Sequence, residues 1–141
     1  MKTFTNKIDL RKRKSKTQFN RPTNYKNLEV WKLAYSLVLD VYPLIEYFPR
    51  YEDNNISDQL RRAITGLPLN IAEGESSKFK KIFFSQLNYA YCSSKEVEVL
   101  LMLCRDLKYI NNNDFFRIYN KLDRFKSRTY KLMEKLDEEM N

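Results

Sequence analysis

The chain has 141 residues, enough for one domain whose core is stable without metals or disulfides. A hydrophobic fraction of 43% with only two glycines and four prolines excludes a turn-rich β fold and calls for long helices joined by few connections. The net charge of +8 is concentrated: residues 1–26 carry nine Lys and Arg against Asp9 alone, whereas from residue 27 onward 17 cations face 17 anions.

Residues 1–24 show neither a helical nor a strand period and hold few large apolar groups, so they are expected to stay disordered when free. Arg11, Lys12, Arg13, Lys14, Lys16 and Arg21 make this segment either a phosphate-binding arm or a solubilising extension.

The domain proper is expected over 25–141. Helix one is expected from about Asn27 to Phe48, with Leu28, Trp31, Ala34, Leu37, Val38, Val41, Leu44, Ile45 and Phe48 on one face. Pro43 should kink it or end it early, and Phe48-Pro49 closes it in either case. Helix two starts at Asn54 or Asn55, both good N-caps, and buries Ile56, Leu60, Ala63, Ile64, Leu67 and Ile71. Pro68 lies inside it, where a bend is expected, and Gly74 follows as its C-cap.

Helix three is the longest, from about Ser77 to Lys108, capped by Ser76 or Ser77. Its expected seam is Phe79, Ile82, Phe83, Leu87, Ala90, Ser94, Val97, Leu101, Cys104 and Leu107. Helix four begins after Asn111-Asn112-Asn113, with Asp114 in its first turn and an apolar face of Phe115, Ile118, Leu122, Phe125, Leu132, Met133 and Leu136. Loops of about 3 to 8 residues between long amphipathic helices define an all-α, antiparallel up-down-up-down four-helix bundle.

Cys92 and Cys104 on one helix stand roughly 18 Å apart, too far to pair with each other, and suit a reducing cytoplasm. No apolar stretch reaches the length of about 20 needed to cross a bilayer, and no signal peptide follows the basic start. The absence of histidine removes the commonest general acid/base and the commonest imidazole metal ligand. Neither a zinc site, nor a calcium loop, nor a glycine-rich phosphate loop is present in the residues. No catalysis, cofactor or metal is expected; Glu73, Glu75, Glu96 and Glu98 read as ion-pair and solvated groups.

One row in helix two goes beyond amphipathicity. Gln59, Arg62, Gly66, Asn70 and Glu73 are spaced by 3, 4, 4 and 3 and share a face beside the apolar stripe. Such a row, with a glycine permitting close approach, suits a helix or subunit contact, and Glu96 is a candidate partner for Arg62. The alternative is a partly solvated edge.

These residues also carry a resemblance. Tyr25-x-x-Leu28-x-x-Trp31, Phe48-Pro49, Gln59-Leu60-Arg61-Arg62-Ala63, Pro68-x-Asn70-Ile71-Ala72-Glu73-Gly74, Ala90, Ser93-x-x-Glu96 and Leu107-x-Tyr109-Ile110 are together similar to the four-helix-bundle proteins of intervening sequences in bacterial large-subunit rRNA genes. The similarity covers roughly residues 25–135. It implies a bundle that self-associates, often as a pentameric ring, without known catalysis, in which Trp31, Gln59, Arg61, Arg62, Asn70, Glu73, Gly74 and Glu96 serve fold and assembly. The chain is more distantly similar to accessory proteins of diversity-generating retroelements, which contact nucleic acid and a reverse transcriptase. It departs from the family pattern at Gly66-Leu67-Pro68, at Pro43, in the long basic tail, and at Glu75-Ser76-Ser77, which removes basic charge from that loop.

Two functional classes follow. One is a nucleic-acid module, binding RNA non-specifically through the tail and a basic surface of helix four that includes Arg117, Lys121, Arg124 and Arg128. Tyr25 and Phe19 are candidate base-stacking rings, although a linker or core role is the simpler expectation for each. The other is a structural scaffold or protein-interaction module, with a reverse transcriptase among the partners. Membrane binding is disfavoured because the tail has no amphipathic apolar face.

Overall fold

The computed structural model describes residues 24–141; the expected tail, apart from Asn24, lies outside the described residues. Asn24 caps a tight helical turn, Tyr25–Asn27, its Oδ1 accepting from the Lys26 N–H at 2.9 Å. Four helices follow: α1 (Glu29–Ile45), α2 (Ile56–Glu75), α3 (Lys80–Asp106) and α4 (Asn112–Met140), with a short helical turn, Arg50–Glu52, between α1 and α2. Each helix packs on its neighbours in sequence and α4 returns to α1, while the backbones of the diagonal pairs stay apart. Cross-helix pairs run in opposite senses (Gly74 near Phe83 but Ala63 near Ser93; Lys80 with Glu139 but Arg105 over Phe115), so the bundle is antiparallel.

The core is drawn from one face of every helix. Leu37 and Val41 of α1, Leu60, Ile64, Leu67 and Ile71 of α2, Leu87, Val97 and Leu101 of α3, and Ile118, Leu122 and Phe125 of α4 are fully buried. Several boundaries differ from expectation for local reasons. α1 ends two residues after Pro43, and the backbone donor Pro43 lacks would have served the carbonyl of Leu39, a residue on the exposed side of the helix. α2 runs through Pro68, and Thr65 and Asn70 donate back to the carbonyls of Arg61 and Gly66, each at 2.8 Å. Asn55 occupies the N-cap position of α2, but its oxygen accepts from Gln59 Nε2 at 2.8 Å instead of from the backbone.

α3 starts at Lys80 because Ser77 spends its hydroxyl on the Phe79 N–H, a local turn at 3.1 Å that stops short of helix. Phe79, Ile82 and Leu107 are exposed, not in the seam; Leu100 is buried in addition to the expected set. The end of α3 is closed by Lys108 at φ 67°, with Tyr109 N–H reaching back to the Cys104 carbonyl at 2.7 Å and Lys108 N–H to Arg105 at 3.0 Å. This is a Schellman closure made without glycine. α4 opens as expected, with Asn111 Oδ1 accepting from Asp114 N–H at 2.8 Å.

Gly74 is not a C-cap. It lies inside α2 without positive φ and is buried, and a Cβ there would sit 2.8 Å from Gln86 Cβ and 3.2 Å from Phe83 Cα. Gly66 is the looser of the two, since a Cβ there would meet only Asn70 Nδ2 and Ser93 Oγ at 3.7 Å. The close approach expected of the row's Gly66 therefore belongs to Gly74. Gly74→Ala should destabilise the fold by about 1–3 kcal/mol through overpacking, whereas Gly66→Ala should be neutral or stabilise it by up to about 1 kcal/mol through helix propensity. Urea unfolding of both variants checks the contrast.

Candidate functional site

The basic surface expected on α4 exists as a row, because Arg117, Lys121, Arg124 and Arg128 follow one another at steps of 4, 3 and 4. Most of it borders α1, and there the cations are engaged. Lys121 Nζ lies 2.5 Å from Asp40 Oδ2 and also donates to Ser36 Oγ. Arg117 stands 3.5 Å from Asp40 and 3.1 Å from Asp114, and Arg128 pairs with Glu29. Arg124, with Lys131 and Lys135 beyond it, has no ion pair among the described residues. Three of the four cations thus stitch α4 to α1, while half of each arginine side chain stays open to solvent. Arg11, Lys12, Arg13, Lys14, Lys16 and Arg21 lie outside the described residues.

On the other flank of α4, Lys126 is 11% exposed and pairs with Glu98 of α3, which also accepts from the Tyr119 hydroxyl at 3.5 Å. The hydrogen bond from Lys126 holds the Glu98 carboxyl below its ordinary value, against the opposing effect of burial. Beside this pair, Tyr91 and Tyr130 pack at 5.8 Å along a shallow α3–α4 groove of about 370 Å³ that also takes in Lys95 and Lys131.

The polar row of α2 follows the α2–α3 seam. Ser93 of α3 donates to the Ala63 carbonyl at 2.9 Å, Asn70 turns back to Gly66, and Gln59 turns back to Asn55. Arg62 does not reach Glu96. It pairs with Asp58 one turn earlier on its own helix at 3.2 Å, an i,i+4 neighbour on the helix surface. Arg61 donates to the Asp53 carbonyl at 3.3 Å. Glu73 and Glu96 are exposed, and neither has an ion pair among the described residues. Trp31 stacks on Tyr35 at 4.9 Å and receives Tyr25 edge-on at 5.3 Å, which fixes the chain's entry against α1.

At the opposite end, Glu52 is buried and accepts from Tyr109 Oη at 2.7 Å. The Tyr109 hydroxyl, shared with Tyr51 at 3.3 Å and with Glu52, is held protonated well above the usual phenol range. Cys104 beneath it is pushed up to about 12 by burial, reinforced by the Glu52 charge. Among the described residues no three His, Cys, Asp or Glu side chains converge as a metal site, and no helix is long and apolar enough to cross a membrane.

Sequence spacing alone misses a second stripe on α3. Ile82, Ser85, Tyr89, Cys92, Glu96, Val99 and Leu103 alternate steps of 3 and 4, and all are exposed. α1 carries a shorter counterpart, Lys32, Tyr35, Leu39 and Tyr42, again all exposed. The signal was present as period, but one apolar face per helix was enough to account for a bundle.

The packing of the four helices defines an antiparallel four-helix bundle. The chain matches the family described as 23S rRNA-intervening sequence protein over residues 26–131, and it belongs to that family. Its fold is also that of a protein of unknown function from the S23 ribosomal protein family of Bacteroides thetaiotaomicron, with a TM-score of 0.69 at 21% identity over 74% of this chain and 95% of that one. No curated protein matches the chain.

The Lys126–Glu98 pair generates a pH prediction. Because the folded Glu98 titrates below its ordinary 4.5, its stabilisation is complete above that pH and is lost as pH falls through the lower folded value. Glu98→Gln should cost about 1–3 kcal/mol at neutral pH. The gap from wild type should stay constant down to about pH 5 and close only in more acid solution, as read by urea unfolding across pH.

Proposed function

We propose that the protein is a non-catalytic, self-associating bundle that binds nucleic acid, RNA above all, without sequence specificity. The basic N-terminal segment supplies most phosphate contacts and the α4 row supplies the rest. The observation that carries this reading is the segregation of charge: the whole excess of +8 sits in the first 26 residues, while the remainder is balanced. The ion pairs of Arg117, Lys121 and Arg128 sharpen it, since they leave Arg124, Lys131 and Lys135 as the cations of the row without a carboxylate partner among the described residues. The family's description, tied to 23S rRNA, agrees with RNA as the polymer. Two free thiols, one of them exposed, fit a reducing, cytoplasmic setting.

The exposed stripes of α1 and α3 favour a second reading, a scaffold for protein contacts, with a reverse transcriptase as one possible class of partner. Mobility shifts of a random-sequence RNA separate the two. Full-length protein should bind with strong salt dependence, and removal of residues 1–24 should lower the salt slope by about 4, the counterion release of some six phosphate contacts. Equal, negligible shifts for both proteins would select the scaffold. Asp40→Asn should release Lys121 and Arg117 from α1, raising the slope by about 1–2 while lowering thermal stability; an unchanged slope would mean that neither of these two cations reaches phosphate.

A further inference from the structure

α3 is apolar on two sides. Its inner side enters the core through Leu87, Val97 and Leu101, and its outer side carries Ile82, Tyr89, Cys92, Val99 and Leu103 in the open. A helix apolar on opposite sides is ordinarily covered on both, and alternating steps of 3 and 4 are the spacing of a helix–helix seam. The bundle covers only one side. α1 has the same property over a shorter length, with Leu39 60% exposed between Tyr35 and Tyr42.

The two stripes sit on diagonal corners of the bundle, so they face away from each other, and α1 and α3 run in the same direction. Each holds one charge: Lys32 on α1, Glu96 on α3. Neither has an ion pair among the described residues. They also lie at the same height. Along α4, Arg128 meets Glu29 and Lys121 meets Asp40, which places Lys32 level with Lys126. Lys126 in turn meets Glu98, in the turn of α3 that holds Glu96.

We infer that the two stripes are halves of one head-to-tail contact, in which the outer stripe of α3 receives the α1 stripe of a second copy, with Lys32 of the second copy on Glu96. The same step along both helices sets Tyr35 beside Val99 and Leu39 beside Leu103, apolar on apolar. The occupant is another copy of this chain because both stripes, their direction, their height and their opposite charges are supplied by one molecule. Unlike patches on opposite sides make a heterologous contact, which repeats from copy to copy and closes into a ring or extends. α3 is about 40 Å long, so a strip about 20 Å wide along it, including the flank of α2, has the area of about 800 Å² per partner that stable interfaces use.

This inference rests on the self-association proposed above, and the test keeps the two apart. Full-length wild type, Glu96→Lys, Lys32→Glu and the double variant are compared by sedimentation and light scattering. Both positions are exposed, so all four should show equal helicity, and equal melting at concentrations low enough for all to be monomeric. Each single variant should weaken association by at least about tenfold, because a like-charge pair replaces an opposite one, and the double variant should restore it to within about threefold of wild type. Wild type that associates while the single variants associate equally well, or a double variant weaker than either single one, would overturn this contact and leave self-association standing. Monomers throughout would overturn both.

Discussion

The close apposition of α2 and α3 sets the geometry on which the other contacts depend. At Gly74 the α2 backbone lies where no Cβ fits, against Phe83 and Gln86, and one end of the hairpin is pinned there. Nearer its other end Ser93 reaches the Ala63 carbonyl. Two fixed points along a pair of stiff rods determine their register. Leu60, Ile64, Leu67 and Ile71 are thereby presented to Leu87, Val97 and Leu101 as one continuous apolar wall. α1 and α4 then close over that wall. Their contact is more polar, and Asp40 and Glu29 align α1 by meeting cations of α4. The exposed Glu29–Arg128 pair contributes little stability itself, and the part-buried Asp40–Lys121 pair contributes more. Their effect is on alignment, because a slipped helix would leave Asp40 without Lys121 and Arg117.

The charge pattern has the same economy. Several cations of the body are engaged within it: Lys126 with Glu98, Lys121 with Asp40, Arg128 with Glu29 and Lys80 with Glu139. A charge-balanced body joined to a strongly basic segment is a division that net charge alone conceals. A sequence pI of about 9.4 reflects the first 26 residues, not the charge-balanced remainder.

Much of the architecture is legible in the residues. Four apolar seams, the stops near Pro43 and Phe48-Pro49, and the Asn-rich start of α4 follow from period and cap chemistry acting within a few residues. What is not legible depends on contacts between helices. Gly74 near the end of a helical pattern has the local signature of a C-cap, and only the arrival of Phe83 and Gln86 gives it another role. Ile82 fits the inner seam of α3 by one count of turns and the outer stripe by another; its exposure decides for the outer. The cationic face of α4 can be read as a row, but that Asp40 and Glu29 occupy it cannot, because the carboxylates come from some 80 to 100 residues earlier. Arg62 shows the opposite case: a local partner, Asp58, wins over the remote Glu96.

The two cysteines differ in a way that is useful at the bench. Cys104 is sealed in the core and keeps its proton to about 12, so alkylating reagents have neither access nor a nucleophile there. Cys92 stands in the open on the outer side of α3. The unassociated chain therefore offers a single addressable thiol, and its rate of reaction with a maleimide reports on whether that face is open or covered, without any engineered cysteine.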